Sequence, residues 1–244
     1  MKYAILGDIH ANITALDAVL REVTRAGADA IVSVGDVVGY GPSPAACIRR
    51  LREANVHVVK GNHDAACVRQ LDDRYFNNYA REAIRWTRNV LEPADLEWLL
   101  ELPLRLLFEH CEVAHGSAFQ PEQFHYVQTP HDASPSLDVM ERSVGFVGHT
   151  HVPVNIWRRS GRPNHIEYHL EDAVDLRNAD RALINVGSVG QPRDEDPRAA
   201  LGLFDSETMR FELRRVDYDI HLEAELSAKA GLPRVLADRL FLGV

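Results

Sequence analysis

A chain of 244 residues with 45% hydrophobic and 26% charged side chains can fill a sizeable core, and its length suits one large α/β domain or two small ones. Its formal net charge of -9 excludes long nucleic acid as a partner drawn in by the overall field, which repels a polyanion. The absence of an apolar run of about 18 residues excludes a membrane-spanning helix, and Cys47, Cys67 and Cys111 lack the pairing of a disulfide or zinc framework and read as buried free thiols.

From the N-terminus, Tyr3-Ala4-Ile5-Leu6 reads as a buried strand. It lacks the basic segment and long apolar run of a secretory signal, so a cytoplasmic location is expected. Apolar residues at Ile13, Leu16, Val19, Leu20 and Val23 follow a helical spacing over 13–25, with Asn12 as its cap and Gly27 as its stop. Residues 30–34 form the next predicted strand, 44–54 a helix with Pro44 in its first turn, and 56–59 a third strand. This β-α-β-α-β order predicts a parallel sheet with right-handed crossovers. Two helices are expected at 74–91 and 93–102, with Trp86, Leu96, Trp98 and Leu99 as core candidates. Strands return at 104–108, 112–114 and 145–147, while the polar, proline-containing stretch 116–143 reads as an irregular excursion. Residues 154–157 and 166–169 flank Ser160-Gly161 as a hairpin, and strands follow at 182–186, 201–204 and 210–216. A helical tail over 220–240 is broken at Gly231-Leu232-Pro233. With no internal repeat or linker in view, one domain over 1–244 is expected, carrying the tail at about 220–244.

The chemically informative residues sit just after predicted strands. The first strand leads into Gly7-Asp8-Ile9-His10-Ala11-Asn12, the second into Gly35-Asp36-Val37-Val38-Gly39-Tyr40-Gly41, and the third into Gly61-Asn62-His63-Asp64. Later, His115-Gly116-Ser117 and Gly148-His149-Thr150-His151 each follow an apolar run. Ligand sites of open α/β sheets form beyond the carboxyl ends of strands, so five such loops can converge on one place. Asp, Asn and His supply the oxygen and imidazole donors that suit first-row divalent ions. Asp8 and His10 are two residues apart, as are His149 and His151, a spacing that in extended chain puts both side chains on one face. Asp36 is the natural carboxylate to bridge two sub-sites. Each piece alone has an ordinary explanation, a hydrogen-bonded histidine or a turn carboxylate. Five strand-end loops in order, each with a metal-competent residue, do not.

With these blocks the sequence resembles the calcineurin-like metallophosphoesterase superfamily. The signature D-x-H, G-D-x-x, G-N-H-[DE], a later H and G-H-x-H is met by Asp8-Ile9-His10, Gly35-Asp36, Gly61-Asn62-His63-Asp64, His115 and Gly148-His149-Thr150-His151, over about residues 1–205. The stretch Asn185-Val186-Gly187-Ser188 through Arg193 resembles a segment of the small bacterial and archaeal phosphodiesterase branch. The resemblance implies an α/β fold, a four-layer α/β/β/α sandwich of two mixed β-sheets flanked by helices. It implies two divalent metal ions, manganese or iron first, with zinc, nickel, cobalt or magnesium as alternatives. Asp8, His10 and His151 would hold the first ion, Asn62, His115 and His149 the second, and Asp36 would bridge them.

His63 would face the substrate and serve the leaving oxygen, with Asp64 orienting its ring, while Asn12, Tyr40 and Arg193 are candidate substrate contacts. The implied activity is hydrolysis of a small phosphodiester or phosphomonoester by attack of metal-activated hydroxide. A non-catalytic scaffold for protein assembly is the first alternative; scaffold members of the superfamily typically lose a histidine near the Gly-Asn-His block, and His63 is present. A nuclease is disfavoured by the acidic charge, and no peptide groove of a protein phosphatase is readable. Substrate choice is expected from the 39–44 loop and the 116–143 excursion, with Tyr40, Phe119 or Tyr126 stacking on a base. The expected partner is a small phosphoester rather than a membrane, and a homo-oligomer is left open.

Overall fold

Tyr3-Ala4-Ile5-Leu6 is apolar without alternation because both faces of its strand are covered: Ala4 and Leu6 enter one core, Tyr3 and Ile5 another. The computed structural model describes residues 1–162 and 165–244. Its first part runs β1 (Lys2–Leu6), α1 (Ile13–Ala26), β2 (Ala30–Ser33), α2 (Pro44–Glu53), β3 (His57–Val58) and α3 (Asn62–Cys67). The middle comprises α4 (Asn78–Val90), α5 (Pro93–Glu101), β4 (Arg105–Leu107), β5 (Glu112–Ala114), α6 (Pro130–Val139) and β6 (Val144–Val147). The last part is β7 (Val154–Arg159), β8 (Ile166–His169), β9 (Ala173–Asp175), β10 (Ala179–Asn185), β11 (Ala199–Asp205), β12 (Arg210–Val216), α7 (Ile220–Lys229) and α8 (Arg234–Asp238). No helix among the described residues is long and apolar enough to cross a membrane. All three cysteines are free and buried.

The strands form two mixed sheets, ordered β3-β2-β1-β11-β12-β9 and β4-β5-β6-β10-β7-β8. Strands β1, β2 and β3 are mutually parallel, as are β5, β6 and β10. The carboxyl ends of each parallel set therefore lie on one edge of its sheet, and the loops bearing Asp8, Asp36, Asn62, His115 and His149 leave from those edges. Between the sheets pack Tyr3, Ile5, Phe146, Ile184, Phe204 and Phe211. Leu16 and Val19 of α1 with Ile48 and Leu51 of α2 cover the outer face of the first sheet. Ala133 and Leu137 of α6 cover Ile156 and Leu183 on the second. These layers make the α/β/β/α sandwich that the sequence implies.

Several expectations are corrected. The excursion over 116–143 is not irregular throughout, because α6 occupies Pro130–Val139. Thr129 caps it, accepting from the Asp132 N–H while the Asp132 carboxylate accepts from the Thr129 N–H at 3.0 Å. Pro130 and the internal Pro135 hide this helix from a propensity reading. The Gly61-Asn62-His63-Asp64 block, read as a loop, opens α3. The helix expected from residue 74 starts at Asn78, after a 3-10 turn at Asp73–Tyr75, and β9 has no counterpart among the expected strands.

The tail packs back on the body. Leu232 and Leu236 join Tyr40, Ala80 and Ala83 in one cluster. Glu223 of α7 is 1% exposed, and its Oε2 accepts from the Thr14 hydroxyl at 2.9 Å and the Thr14 N–H at 3.3 Å. Its other oxygen and the Tyr218 hydroxyl are buried without a partner. Burial pushes the Glu223 carboxyl up to about 7, only partly opposed by the Thr14 hydrogen bonds. A carboxyl raised on folding binds more protons folded than unfolded, so stability falls as pH rises from the ordinary carboxylate value towards 7. Glu223→Gln removes that titration. The variant is expected to match the wild type near pH 4.5 and exceed it by about 3 kcal/mol at pH 8, in denaturant melts at both values. Equal pH dependence in the two proteins would refute the assignment.

Candidate metal centre

The loops after β1, β2, β3, β5 and β6 bring the seven expected ligand residues into one buried cluster. One ligand atom each from Asp8, His10, Asp36 and His151 lies within 4.8 Å of the others, and the same holds for Asp36, His115 and His149. Asp36 belongs to both groups. Its Oδ2 is 3.6 Å from His10 Nε2 and 3.4 Å from His115 Nε2. Asn62 Oδ1 lies 2.9 Å from His115 Nε2, which joins it to the second group.

The histidines are oriented by the backbone. His10 Nδ1 is 3.1 Å from the Val38 carbonyl, His115 Nδ1 is 2.8 Å from the Val34 carbonyl, and His151 Nδ1 is 2.6 Å from the Gln191 carbonyl. A carbonyl only accepts, so each ring carries a proton on Nδ1 and turns Nε2, bare in the neutral form of the ring, into the cluster. His10 Nε2 and His151 Nε2 nevertheless face each other at 3.0 Å, and His115 Nε2 meets His149 Nδ1 at 3.1 Å and Asn62 Oδ1 at 2.9 Å. When these nitrogens are unprotonated their lone pairs converge, an arrangement that a proton or a bound cation between them relieves. The donor set, two carboxylates, four imidazoles and one amide oxygen, fits divalent first-row cations.

The local backbone is strained to achieve this. Asp8 (φ 34°), His10 (48°), Asp36 (51°), His149 (70°) and His151 (62°) all occupy the left-handed region that non-glycine residues avoid. The expectation that the two-residue spacings act through extended chain is thereby corrected; tight turns aim the side chains instead. The turns are held by His10 N–H donating to the Asp36 carbonyl at 2.8 Å and Gly148 N–H to the His115 carbonyl at 2.8 Å. Residue 61 must be glycine, because a Cβ there would stand 2.0 Å from Asp36 Oδ1.

Charge is divided unevenly. Burial raises Asp8 to about 7 against the pull of His115. Burial also acts to raise Asp36, but the imidazoles of His115, His63 and His10 overcome it and hold this carboxyl well below its ordinary range. Burial acts to lower His115, yet Asp36 and Asp8 raise it to about 9. Burial sends His10 and His151 well below the usual imidazole range and His149 to about 3. Asp36 is thus the persistent anion of the cluster.

Around it stand the other expected residues. His63 is 4% exposed, and its ring meets those of His10, Tyr40 and Phe76 at centroid distances of 4.8, 4.5 and 4.9 Å. Its Nδ1 has no hydrogen-bond partner, and burial lowers the ring to about 4 despite Asp36. Asp64 does not orient it: both Asp64 oxygens are taken by backbone, Val38 N–H at 3.1 Å and Gly61 N–H at 3.0 Å. Asp64 ties the second loop to the third and caps α3. Asn12 is likewise structural. Its Oδ1 caps α1 by accepting from Ala15 N–H at 3.0 Å, and its Nδ2 donates to the Gly190 carbonyl at 3.0 Å.

Tyr40, 7% exposed, is wedged against His10 and His63 and offers no open face to a base. Arg193 donates to the Tyr40 hydroxyl at 3.3 Å and the Gln191 side-chain oxygen at 3.1 Å, while its Nε is buried without a partner. The sequence reading gave no role to Asn185 or Ser188 beyond a resemblance. Asn185 Nδ2 donates to the Gly148 carbonyl at 2.6 Å and Thr150 Oγ1 at 2.9 Å, and Ser188 donates to the Asp8 carbonyl at 2.8 Å. They lock the strained turns from behind, a task no local pattern advertises.

Comparison with known proteins identifies the family. The family model for the calcineurin-like phosphoesterase superfamily domain matches residues 1–209. An uncharacterized protein of Methanocaldococcus jannaschii is 36% identical, covering 98% of this chain and 97% of its own. The phosphodiesterase YfcE of Escherichia coli is 27% identical, covering 86% of this chain and 90% of its own. The crystal structure of a metallophosphoesterase from Sphaerobacter thermophilus superposes with a TM-score of 0.86 at 37% identity, over 100% of both chains. The chain belongs to the calcineurin-like phosphoesterase superfamily and is a metal-dependent phosphoric ester hydrolase.

Proposed function

We propose that the protein hydrolyses a small phosphodiester or phosphomonoester at a centre of two divalent cations, manganese or iron by preference. Asp8, His10 and His151 hold one ion, Asn62, His115 and His149 the other, and Asp36 is shared. The observation that carries this reading is the pair of ligand groups meeting at one carboxylate. When bound, the cations supply a more acidic water and positive charge against that developing on the phosphoryl oxygens.

The chain's own residues do the rest. Arg193, whose guanidinium donates to the Tyr40 hydroxyl beside His10, brings a positive charge next to the site, a donor for a phosphoryl oxygen. His63, packed beside His10, is held neutral by burial at neutral pH, so it serves the leaving oxygen as a hydrogen-bond donor rather than as a pre-charged acid. Protein reconstituted with manganese is expected to carry two ions per chain by elemental analysis and to turn over bis-p-nitrophenyl phosphate. Full activity with a single ion per chain would sink the dinuclear reading.

A further inference from the structure

Beside the cluster lies a cleft of about 580 Å³ that extends well beyond the residues assigned to the hydrolytic chemistry. Asn62, His63 and His149 line it on the side of the cluster, and Tyr75, Phe76, Phe124 and Tyr126 supply aromatic walls, with Asn77 and Gln123 among them. Tyr75 is 84% and Tyr126 56% exposed. Tyr126 is not loose: its ring stacks on His149 with centroids 3.9 Å apart and planes 29° apart. Phe76 stands edge-on to His63 at 4.9 Å and 81°. One ring is thus pinned to a cluster residue with half its surface open, and a second faces solvent on the same cleft. Rings in such numbers around one opening mark a binding surface rather than scattered surface apolarity.

We propose that this cleft receives the nucleobase of a nucleotidyl phosphoester whose phosphate sits at the cluster. The inference rests on the hydrolase reading for the position of the phosphate. A cleft of this volume far exceeds a phosphate and admits a base with its sugar. Planar faces favour a stacked ring, and stacking tolerates any base. Exposed amides at Asn77 and Gln123 offer both donors and acceptors to a base edge, which a bare phenyl ring could not use. Asn77 already spends its oxygen on capping α4, by accepting from Ala80 N–H at 3.0 Å, so its amide nitrogen is the group left to donate. The net charge of -9 selects small nucleotides over long strands.

The test is calorimetric binding to the full chain loaded with manganese, using AMP, ribose 5-phosphate and phenyl phosphate. AMP is expected to bind roughly tenfold or more tighter than ribose 5-phosphate, the gain from stacking one base. Tyr126→Ala and Tyr75→Ala are expected to lose most of that ratio, and Tyr126→Phe to keep it. Metal content is measured on each variant, since Tyr126 touches His149. Equal affinity for AMP and ribose 5-phosphate, or phenyl phosphate matching AMP, would overturn the assignment. Turnover of bis-p-nitrophenyl phosphate by the same preparation separates the two readings. Hydrolysis without base discrimination defeats the cleft alone, and base discrimination without hydrolysis defeats the catalytic reading alone.

Discussion

Asp36→Ala is expected to lose bound cations and to lower turnover beyond the roughly 10²–10³-fold that removal of a single stabilising donor costs. The reason is position. Asp36 is the carboxylate common to both ligand groups, and its surroundings hold it ionised when Asp8 is pushed towards neutrality. Without it, Nε2 of His10 and Nε2 of His115 lose the one carboxylate that faces both and could complete a cation site for each. Alanine also strips the His63 N–H of its acceptor, Asp36 Oδ1 at 2.8 Å, so a collapse of the turn could mimic a loss of metal. Asp36→Asn separates these effects. The amide keeps an oxygen for the His63 N–H and the shape under Gly61, but removes the charge. The Asp36→Asn protein is therefore expected to melt like the wild type while binding fewer than two ions per chain by elemental analysis. Two tightly bound ions in that variant would show that Asp36 is not shared.

The sequence revealed where the site would be more clearly than how it is built. Parallel strands place their carboxyl ends together, so apolar runs ending in Gly-Asp, Gly-Asn-His or Gly-His-x-His marked the edge on which the cluster lies. The conformation of those ends was not legible. Asp8, His10, His149 and His151 adopt positive φ although none is glycine; propensity forbids this, and only tertiary hydrogen bonds from the facing loops enforce it. The same dependence on distant partners hid the roles of Asp64 and Asn12. A carboxylate beside a histidine suggests a dyad, but Asp64 is drawn away by two backbone N–H groups that only the folded loops supply. Asn12 looked equally apt as cap or contact, and the carbonyl of Gly190, 178 positions away, decided for the cap. Helix α6 stayed hidden for a local reason, its two prolines, although Thr129 and Asp132 carried a readable capping signal.

His63→Ala is expected to leave metal content unchanged and to lower turnover by about 10²–10³-fold, the usual worth of one positioned donor to developing negative charge. The size depends on the leaving group. p-Nitrophenolate departs without help, so bis-p-nitrophenyl phosphate should lie at the lower end, whereas an alkyl ester that needs its oxygen hydrogen-bonded should lie at the upper end. Undiminished hydrolysis of both esters would remove His63 from the mechanism. Gly39 offers an independent route to the same result. At φ +88°, a Cβ on residue 39 would come 2.3 Å from His63 Nδ1 and 3.2 Å from its Cβ, so alanine must push the imidazole aside. None of the seven cluster residues is among the nearest atoms to that Cβ. Gly39→Ala should therefore reproduce the His63 phenotype, normal metal stoichiometry with a turnover deficit that grows as the leaving group worsens. A Gly39→Ala protein that instead lost its ions would mean that the ring of His63 holds the cluster together rather than serving the departing oxygen.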